Sequence, residues 1–555
     1  MRAPLAALLP AIALLMAAMV PVPECRAAGA ARAAAAPERR LTIFYTGEIH
    51  GTLEPCGCTS DPLGDIARYA MLVREAARKG GAVLVLDGGG LSFPETSTKK
   101  SQVTDAMRAR FLATELGKLG PFAAGLAETD VRGGAAGVVP PRLAVNLPAS
   151  PAVAPSLLKT VGGVRVGVFG VADPELAAKL GGKGEDPIAA GKKEVARLRQ
   201  AGAELVVALA AIDKPAARRL ARDAGADLVV LGRQVGHGMA RAEPVGGGFL
   251  VAAADEIQRV GRIDIVWRGG GPLSDAGGPE ATALRRVEID QAVARINKEL
   301  EAWTTAKSGG DPAFIAGKRR ERDALLAERG RLDTPWAAPA TGSYFTNRLV
   351  PLRRTLPRDP KIAGAMRGLD ARIGAANRRA AAAPPPPEPD RPYYVGDAKC
   401  VSCHKTAMKF WKKTVHAGAW QTLVDGGKQD DDRCVSCHVT GYGEVGGSSL
   451  GHTDKLRDVQ CEVCHGPGSK HVAEEGSEEP LAIRKETPAS TCTACHNEHH
   501  SDTFQYEAYL RDILGPGHGA SARKKLGDGP TGHELRTAAL ARAKTAGKAQ
   551  VKKPN

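Results

Sequence analysis

Eight of the eleven cysteines in this chain stand in four identical frames, Cys400 to His404, Cys434 to His438, Cys461 to His465 and Cys492 to His496. Each frame reads C-x-x-C-H. Two thiols three residues apart can add to the two vinyl groups of a haem. The histidine that follows lies beneath the ring, where its imidazole can coordinate the iron. The frames therefore predict four covalently held c-type haems. Cys400, Cys403, Cys434, Cys437, Cys461, Cys464, Cys492 and Cys495 are the expected attachment points, and His404, His438, His465 and His496 the expected proximal ligands. The competing use of such cysteine pairs is a zinc ribbon. A zinc site has no need of a histidine after every second cysteine, so haem is the stronger reading.

All four frames fit within 97 residues, at spacings of 34, 27 and 31. Large apolar groups are few there; Phe410, Trp411, Trp420 and Leu423 are among them. The haems must then supply the core, as metals do in small metallodomains. Short spacings hold the haems close together, which suits electron hopping between them.

The stretches CVSCHKTAMKFWKKTVHAGAW, CVSCHVTGYGEVGG, CEVCHGPGSKH and CTACHNEHH resemble the tetrahaem cytochrome c family of bacterial hydroxylamine oxidation, of the c-554 type. In that family three haems have two histidine ligands and the second haem is five-coordinate. The resemblance implies His416 and His471 as distal ligands, and His518 as the third, with His499, His500 and His533 as alternatives to it. His452 is the fallback ligand if the second haem is six-coordinate.

The N-terminal half reads differently. LTIFYT (41–46), AVLVLD (82–87), VRVGVFGV (164–171), ELVVALA (204–210) and ADLVVLG (226–232) are short β-branched runs. Further strands are expected near 250 and 264, and helices at 62–79 and 189–201 lie between the runs. Strands alternating with helices predict an α/β sandwich. Cys56 and Cys58 form a C-G-C pair just after Glu48 and His50, outside any haem frame. Such a pair can cycle between dithiol and disulfide, or hold a single soft metal together with Glu48 and His50, or simply be structural.

TGEIHGTLEPCG, LVLDGGG, AAGLAETD, VALAAID and VLGRQVGHG resemble, in this order, the blocks of the 5′-nucleotidase-type metallophosphoesterases. LEPCGCTSDPLGDIARYA is similar to nucleotidase-like periplasmic proteins that carry C-G-C. The family's dinuclear site needs Asp, His and Asn ligands and a bridging carboxylate. Mapped onto this chain, the first Asp is Glu48 and His50 is kept. The bridging Asp becomes Gly90, the Asn and catalytic His become Leu126 and Ala127, and later His ligands become Ala211, Arg233 and Val235. Using His237 rescues one ligand at most. The expectation is a retained fold with lost dinuclear chemistry, since fold does not imply function.

The 555 residues are too many for a single core. Apolar residues make up 43% and charged residues 25%, which excludes a polytopic membrane protein and a wholly disordered one. The net charge of +15 comes with no nucleic-acid motif, so nucleic acid is not an expected partner. Arg2 followed by an apolar run from Leu5 to Val20 reads as an export signal, with no other membrane span expected. The predicted organisation is a signal (1–30), a phosphoesterase-like α/β domain (37–275), a helical connector (276–379), a Pro-rich linker (380–392), a mostly helical, haem-packed tetrahaem domain (393–519) and a basic disordered tail (520–555). The leading expectation is electron transfer in the periplasm, or otherwise outside the cytoplasm, of a bacterium, with redox proteins as partners. The alternatives are an active nucleotidase-like hydrolase carrying a cytochrome, a haem-based redox enzyme for a small ligand such as a nitrogen oxide, and a binding module in which the inactive N-terminal domain recognises a partner or ligand for the cytochrome.

Overall fold

The computed structural model describes residues 38–555 apart from Cys56, Gly57, Lys100, 135–138, 140–141, Gly270, 306–311, Pro335, Pro389, 478–482, 498–499 and 553–555. The expected signal and Cys56 thus lie outside the described residues. The strands in chain order are β1 (Arg39–Thr46), β2 (Ala82–Asp87), β3 (Phe122–Gly125), β4 (Arg142–Leu143), β5 (Val153–Ala154), β6 (Ser156–Val161), β7 (Val164–Ala172), β8 (Leu205–Ala211), β9 (Leu228–Leu231), β10 (Glu243–Val245), β11 (Gly248–Val251), β12 (Arg259–Trp267), β13 (Ser274–Asp275) and β14 (Tyr344–Pro351). They form two sheets, ordered β13-β14-β12-β1-β2-β3-β4-β5 and β10-β11-β9-β8-β7-β6. The runs from β1 to β5 and from β7 through β8 and β9 to β11 are parallel.

Period-two alternation explains the packing. Leu41, Ile43 and Tyr45 of β1 meet Val164, Val166 and Val168 of β7 and Leu205, Val207 and Leu209 of β8 in the apolar layer between the sheets. The opposite residues face outward onto helices. Phe44, Val83 and Val85 pack with the helices Ile66–Arg78, Gln102–Gly117 and Pro360–Ala380. Phe169, Val206 and Ala208 pack with Pro187–Gln200 and Lys214–Ala224. The result is a four-layer αββα sandwich.

Helix starts follow capping chemistry. The expected helix from Pro62 begins at Ile66, because the Asp65 carboxylate accepts from the backbone N–H of Ala67 and Arg68 at 2.7 and 3.3 Å. Asp186 and Asp213 cap Pro187–Gln200 and Lys214–Ala224 in the same way, each with a proline in the first turn.

Three expectations change. The connector at 276–379 contains helices Pro279–Thr305, Pro312–Arg331 and Pro360–Ala380, but also β14, which pairs antiparallel with β12 and completes the first sheet. The tail after 520 is helical at Ala520–Lys525 and Gly532–Lys552. It is anchored: Arg536 Nη1 donates to the Cys58 carbonyl at 2.5 Å and Gln550 Nε2 to the Pro351 carbonyl at 2.7 Å. The Pro-rich stretch is likewise held to the C-terminal region, where Ser449 Oγ donates to the Ala382 carbonyl at 2.6 Å and Gly446 N to the Pro385 carbonyl at 2.9 Å. No described helix is long and apolar enough to cross a membrane.

One buried carboxyl ties this core to pH. Asp87, at the end of β2, is fully buried, and burial pushes its pKa up to about 7. The Thr46 hydroxyl, Arg142 and the Gly89 N–H work against that rise, and Asp130 adds to it. The folded state therefore holds the Asp87 proton more tightly than the unfolded chain. That contribution is full below the unfolded value near 4 and is lost as pH rises through about 7. Thermal unfolding of Asp87→Asn against the parent chain should show the parent losing ground between pH 5 and about 8. A difference in Tm that stays constant with pH would contradict this.

Candidate functional site

Each C-x-x-C-H frame is one helical turn. His404 N bonds the Cys400 carbonyl at 3.0 Å, His496 N the Cys492 carbonyl at 2.8 Å, and Cys461–His465 is itself a short helix. In the second frame His438 N bonds the Val435 carbonyl at 2.9 Å. A turn of this kind places both thiols on one side, with the histidine stacked one turn above the first cysteine. All eight cysteines are unbridged, and the thiols of Cys400 and Cys461 lie close enough to shift each other's pKa, as do those of Cys437 and Cys495. The first frame thus adjoins the third, and the second adjoins the fourth.

The imidazoles come together across the segment. His404 faces His471 with ring centroids 6.3 Å apart and planes 21° from parallel. His416 faces His496 at 6.2 Å and 49°. Two imidazoles that share one metal at metal–nitrogen distances of about 2 Å place their ring centres roughly 6 Å apart. His518 lies close enough to His465 for the charge of His465 to lower its pKa, although burial is the larger cause. His518 Nδ1 is buried and has no hydrogen-bond partner. Burial also pushes His416 down to about 4, with the neighbouring His496 adding to the effect, and burial lowers His496. Neutral imidazoles are what metal ligation requires.

Tautomers follow from the outer contacts. His465 Nδ1 lies 2.6 Å from the Arg484 carbonyl and His438 Nδ1 2.5 Å from the Ala419 carbonyl. A carbonyl only accepts, so each Nδ1 carries the hydrogen and each Nε2 lone pair is left for a ligand, the outer bond that metal-bound histidines make. Among the described residues His438 bonds Ala419 and Thr422 and is paired with no second imidazole. His452 is exposed, in a turn closed by its backbone bond to Ser449. His500 is exposed, and its charge is felt at Cys437. His533 is tied by its backbone N–H to Asp512, and His499 lies outside the described residues.

These residues fit haem. The thiols are paired one turn apart, two imidazole pairs stand at metal-sharing distance, and one buried ring nitrogen is an orphan. They do not fit zinc, since no group of three or more His, Cys, Asp and Glu converges among the described residues.

Of the N-terminal positions mapped from the phosphoesterase motifs, the small and apolar ones converge, with Glu48 beside them. A side chain at Gly89 would meet Ala211 Cβ at 2.8 Å and Ala127 Cβ at 3.4 Å, and one at Gly90 would meet Glu48 Cα at 3.0 Å. Leu126, Ala127, Ala211 and Val235 are buried. The Glu48 carboxylate is used as a clip, accepting from Gln234 N at 3.0 Å and Val235 N at 2.8 Å. Glu48 and His50 both hold left-handed backbone, at φ 49° and 54°, fixed by bonds to the Gly89 and Gly90 carbonyls at 2.8 Å. His50 Nδ1 faces the Phe93 carbonyl at 3.3 Å. Arg233 pairs with Asp173 at 2.9 Å. Cys58 is half-buried and sits near Cys434 of the second frame, whose thiol responds to its charge.

Sequence reasoning did not find the contacts that join these two regions. Arg108, Asp105, Glu54 and Asp370 bind the stretch 428–433 just before the second frame. Arg108 and Asp431 are 323 residues apart in the chain, and no local pattern marks such a pair.

Residues 399–466 match the model of the family described as cytochrome c554 and c-prime. The cytochrome c-554 of Nitrosomonas europaea is 38% identical over 95 residues, covering 14% of this chain and 40% of that protein. The chain thus spans two fifths of the curated relative it matches. Similar solved structures include a 5′-nucleotidase precursor from Thermus thermophilus (16% identity, TM-score 0.40, 70% of this chain and 68% of that one). The sulfate thiohydrolase SoxB of the same organism, in complex with glycerol, is another (16%, TM-score 0.39, 60% of each chain). The C-terminal region of this chain is therefore similar to the cytochrome c554 family, and its α/β region resembles the 5′-nucleotidase and calcineurin-like phosphoesterase structures.

Proposed function

We propose that this chain is an exported bacterial electron carrier holding four covalent c-type haems, fused to a phosphoesterase-like domain that has no dinuclear chemistry. The observation that carries the reading is the pairing of His404 with His471 and of His416 with His496 at 6.3 and 6.2 Å, each pair including the histidine of a C-x-x-C-H frame. Haem c, when bound, supplies a one-electron ferric–ferrous couple. The eight cysteines would anchor it by thioether bonds. His404, His438, His465 and His496 would present Nε2 from below, and His471, His416 and His518 would close the other side in three of the four centres. The Ala419 and Arg484 carbonyls fix two of the proximal rings through Nδ1. Redox proteins are the expected partners.

A second reading has its own observation. Because His438 has no imidazole partner among the described residues, the second centre would keep an open position for a small ligand. Nitrogen oxides are the class the resemblance suggests.

Intact mass of the full chain, made with a c-type haem maturation system, should exceed the polypeptide by four haems. Two or fewer, or bound zinc, would overturn the proposal. In the same preparation, manganese-dependent hydrolysis of nucleotides and generic phosphoesters should be absent. The support for this is that Gly90, Leu126, Ala127, Ala211 and Val235 offer no metal-binding side chain at the positions where a dinuclear site needs its ligands and bridging carboxylate. Turnover that His50→Ala abolishes would restore the hydrolase alternative.

A further inference from the structure

The C-terminal region is tied to the sandwich at several places, Ser60 to Asp502 and Arg536 to the Cys58 carbonyl among them, and most densely at the six residues that lead into the second frame. Arg108, on the helix Gln102–Gly117 and only 3% exposed, donates through Nη2 to both carboxylate oxygens of Asp431 at 2.8 Å. Its Nη1 reaches Asp105 Oδ1 at 3.3 Å. Asp105 is fully buried and also accepts from Arg433 Nη2 at 2.6 Å, Ser97 Oγ at 2.7 Å and Ser101 Oγ at 2.8 Å. Two arginines and two aspartates, one of each from either region, therefore form a closed and internally neutral knot.

The same stretch is gripped again upstream. Lys428 Nζ lies 2.9 Å from both Glu54 and Asp370. Asp430 is held by Arg378 and, through its carbonyl, by Asn377 Nδ2 at 2.8 Å. From this clamp the frame begins at once. The Asp431 side chain accepts from Arg433 N at 3.2 Å, and its carbonyl accepts from Cys434 N at 2.9 Å and Val435 N at 3.1 Å. By contrast, the residues before the first frame bond within the C-terminal region, Gly396 N to Glu462 at 2.8 Å and Asp397 N to Gln460 at 2.9 Å.

Buried ion pairs add little net stability, because desolvation consumes most of the attraction; their better-attested use is to fix one geometry. A planar guanidinium whose two terminal nitrogens hold two different carboxylates, Nη2 on Asp431 and Nη1 on Asp105, fixes direction as well as distance. We propose that the phosphoesterase-like region is the dock of the second centre, and that Arg108 and Asp105 are positioning residues which, through Asp431 and Arg433, set the orientation of the Cys434–His438 turn and hence the ligand field at the iron bound by His438. This rests on the reading that the second frame carries a haem. It also gives the sandwich a role beside the cytochrome: it orients the centre whose proximal histidine, among the described residues, meets the Ala419 carbonyl and Thr422 and no second imidazole.

The test uses the full-length holoprotein. Arg108→Lys keeps the charge and loses the fork; Arg108→Asp with Asp431→Arg restores the pair reversed. Intact mass and low-temperature electron paramagnetic resonance are recorded for each. Arg108→Lys is expected to keep four haems and leave three low-spin centres unchanged, while the signal of the second centre broadens or shifts. The reversed pair should return it toward the parent spectrum. Four haems with an unaltered second-centre signal in Arg108→Lys would overturn the proposal. So would a second centre altered equally in Arg108→Lys and in the reversed pair. Fewer than four haems in the parent chain itself would instead refute the haem reading on which the proposal stands. Should Arg108→Lys not accumulate, Asp105→Asn, which weakens the same knot from the other side, is read by the same signal.

Discussion

Without haem, residues 393–519 will be digested by protease while residues 38–380 survive. Among the described residues of that segment only seven apolar side chains are buried, namely Met408, Leu423, Val435, Val439, Leu450, Leu456 and Ala508. Burying one such side chain contributes about 1.5–3 kcal/mol, while ordering each residue costs roughly 1–2 kcal/mol in backbone entropy. Seven side chains cannot offset that cost for so long a segment. The sandwich, in contrast, buries complete faces of both sheets. The ion pairs to Arg108 and Lys428 cannot make up the difference, since such pairs contribute little net stability. The chain produced in cells lacking haem maturation, or with all eight frame cysteines changed to serine, should therefore give a resistant N-terminal fragment, identified by mass, and short C-terminal peptides. Equal resistance of the two regions with and without haem would contradict the idea that haem is the core of the second.

Gly232→Ala is expected to unfold the sandwich at a temperature about 10 °C below the parent chain. Three glycines meet where β2, β3 and β9 end. A Cβ at Gly232 would lie 2.0 Å from the carbonyl carbon and oxygen of Gly88, and one at Gly125 would lie 2.3 Å from the same oxygen. The obstacle is backbone, so no side chain can swing aside. Overpacking a core costs about 1–3 kcal/mol and more when backbone must move. For a domain of this size each kcal/mol lowers Tm by about 2–4 °C. Gly247→Ala is the control: no atom lies within 4 Å of its Cβ position, and its Tm should match the parent. Equal Tm values for the two variants would show that the sheet ends are looser than the structure has them.

The parallel strands were legible because each is a short β-branched run buried on both faces. AVLVLD became β2 without a shift of boundary, and VRVGVFGV became β7 with one more residue. The strand Tyr344–Pro351 was missed because YFTNRLVP mixes polar and apolar residues and stands after two helices, far in sequence from β12. The tail was read as disordered from its composition. Its helix is held by tertiary bonds to Cys58 and Pro351, which composition does not register. The four frames were visible in their spacing, whereas His416, His471 and His518 were named only through the resemblance. Which histidine faces which frame was not visible, because His416 follows the first frame but meets His496 of the fourth, and His471 follows the third but meets His404 of the first. Such interlacing comes from the path of the chain around the centres. The small residues Gly90, Ala127 and Ala211, read in the sequence as missing metal ligands, lie beside one another at the sheet ends, where a side chain at Gly89 would meet both alanines; that packing was not legible in the sequence.

The most direct test of the haem pairing is low-temperature electron paramagnetic resonance of the oxidised full-length protein, recorded beside His471→Ala, His416→Ala and His518→Ala. The expected parent spectrum has three low-spin centres, each with two imidazoles, and one high-spin centre at His438. Each variant should convert one low-spin centre to high-spin while the mass still shows four haems, because the cysteines are untouched. Variants that leave the low-spin count unchanged would contradict the pairing. A parent spectrum wholly low-spin, in which only His452→Ala or His500→Ala produces a high-spin signal, would contradict the open second centre.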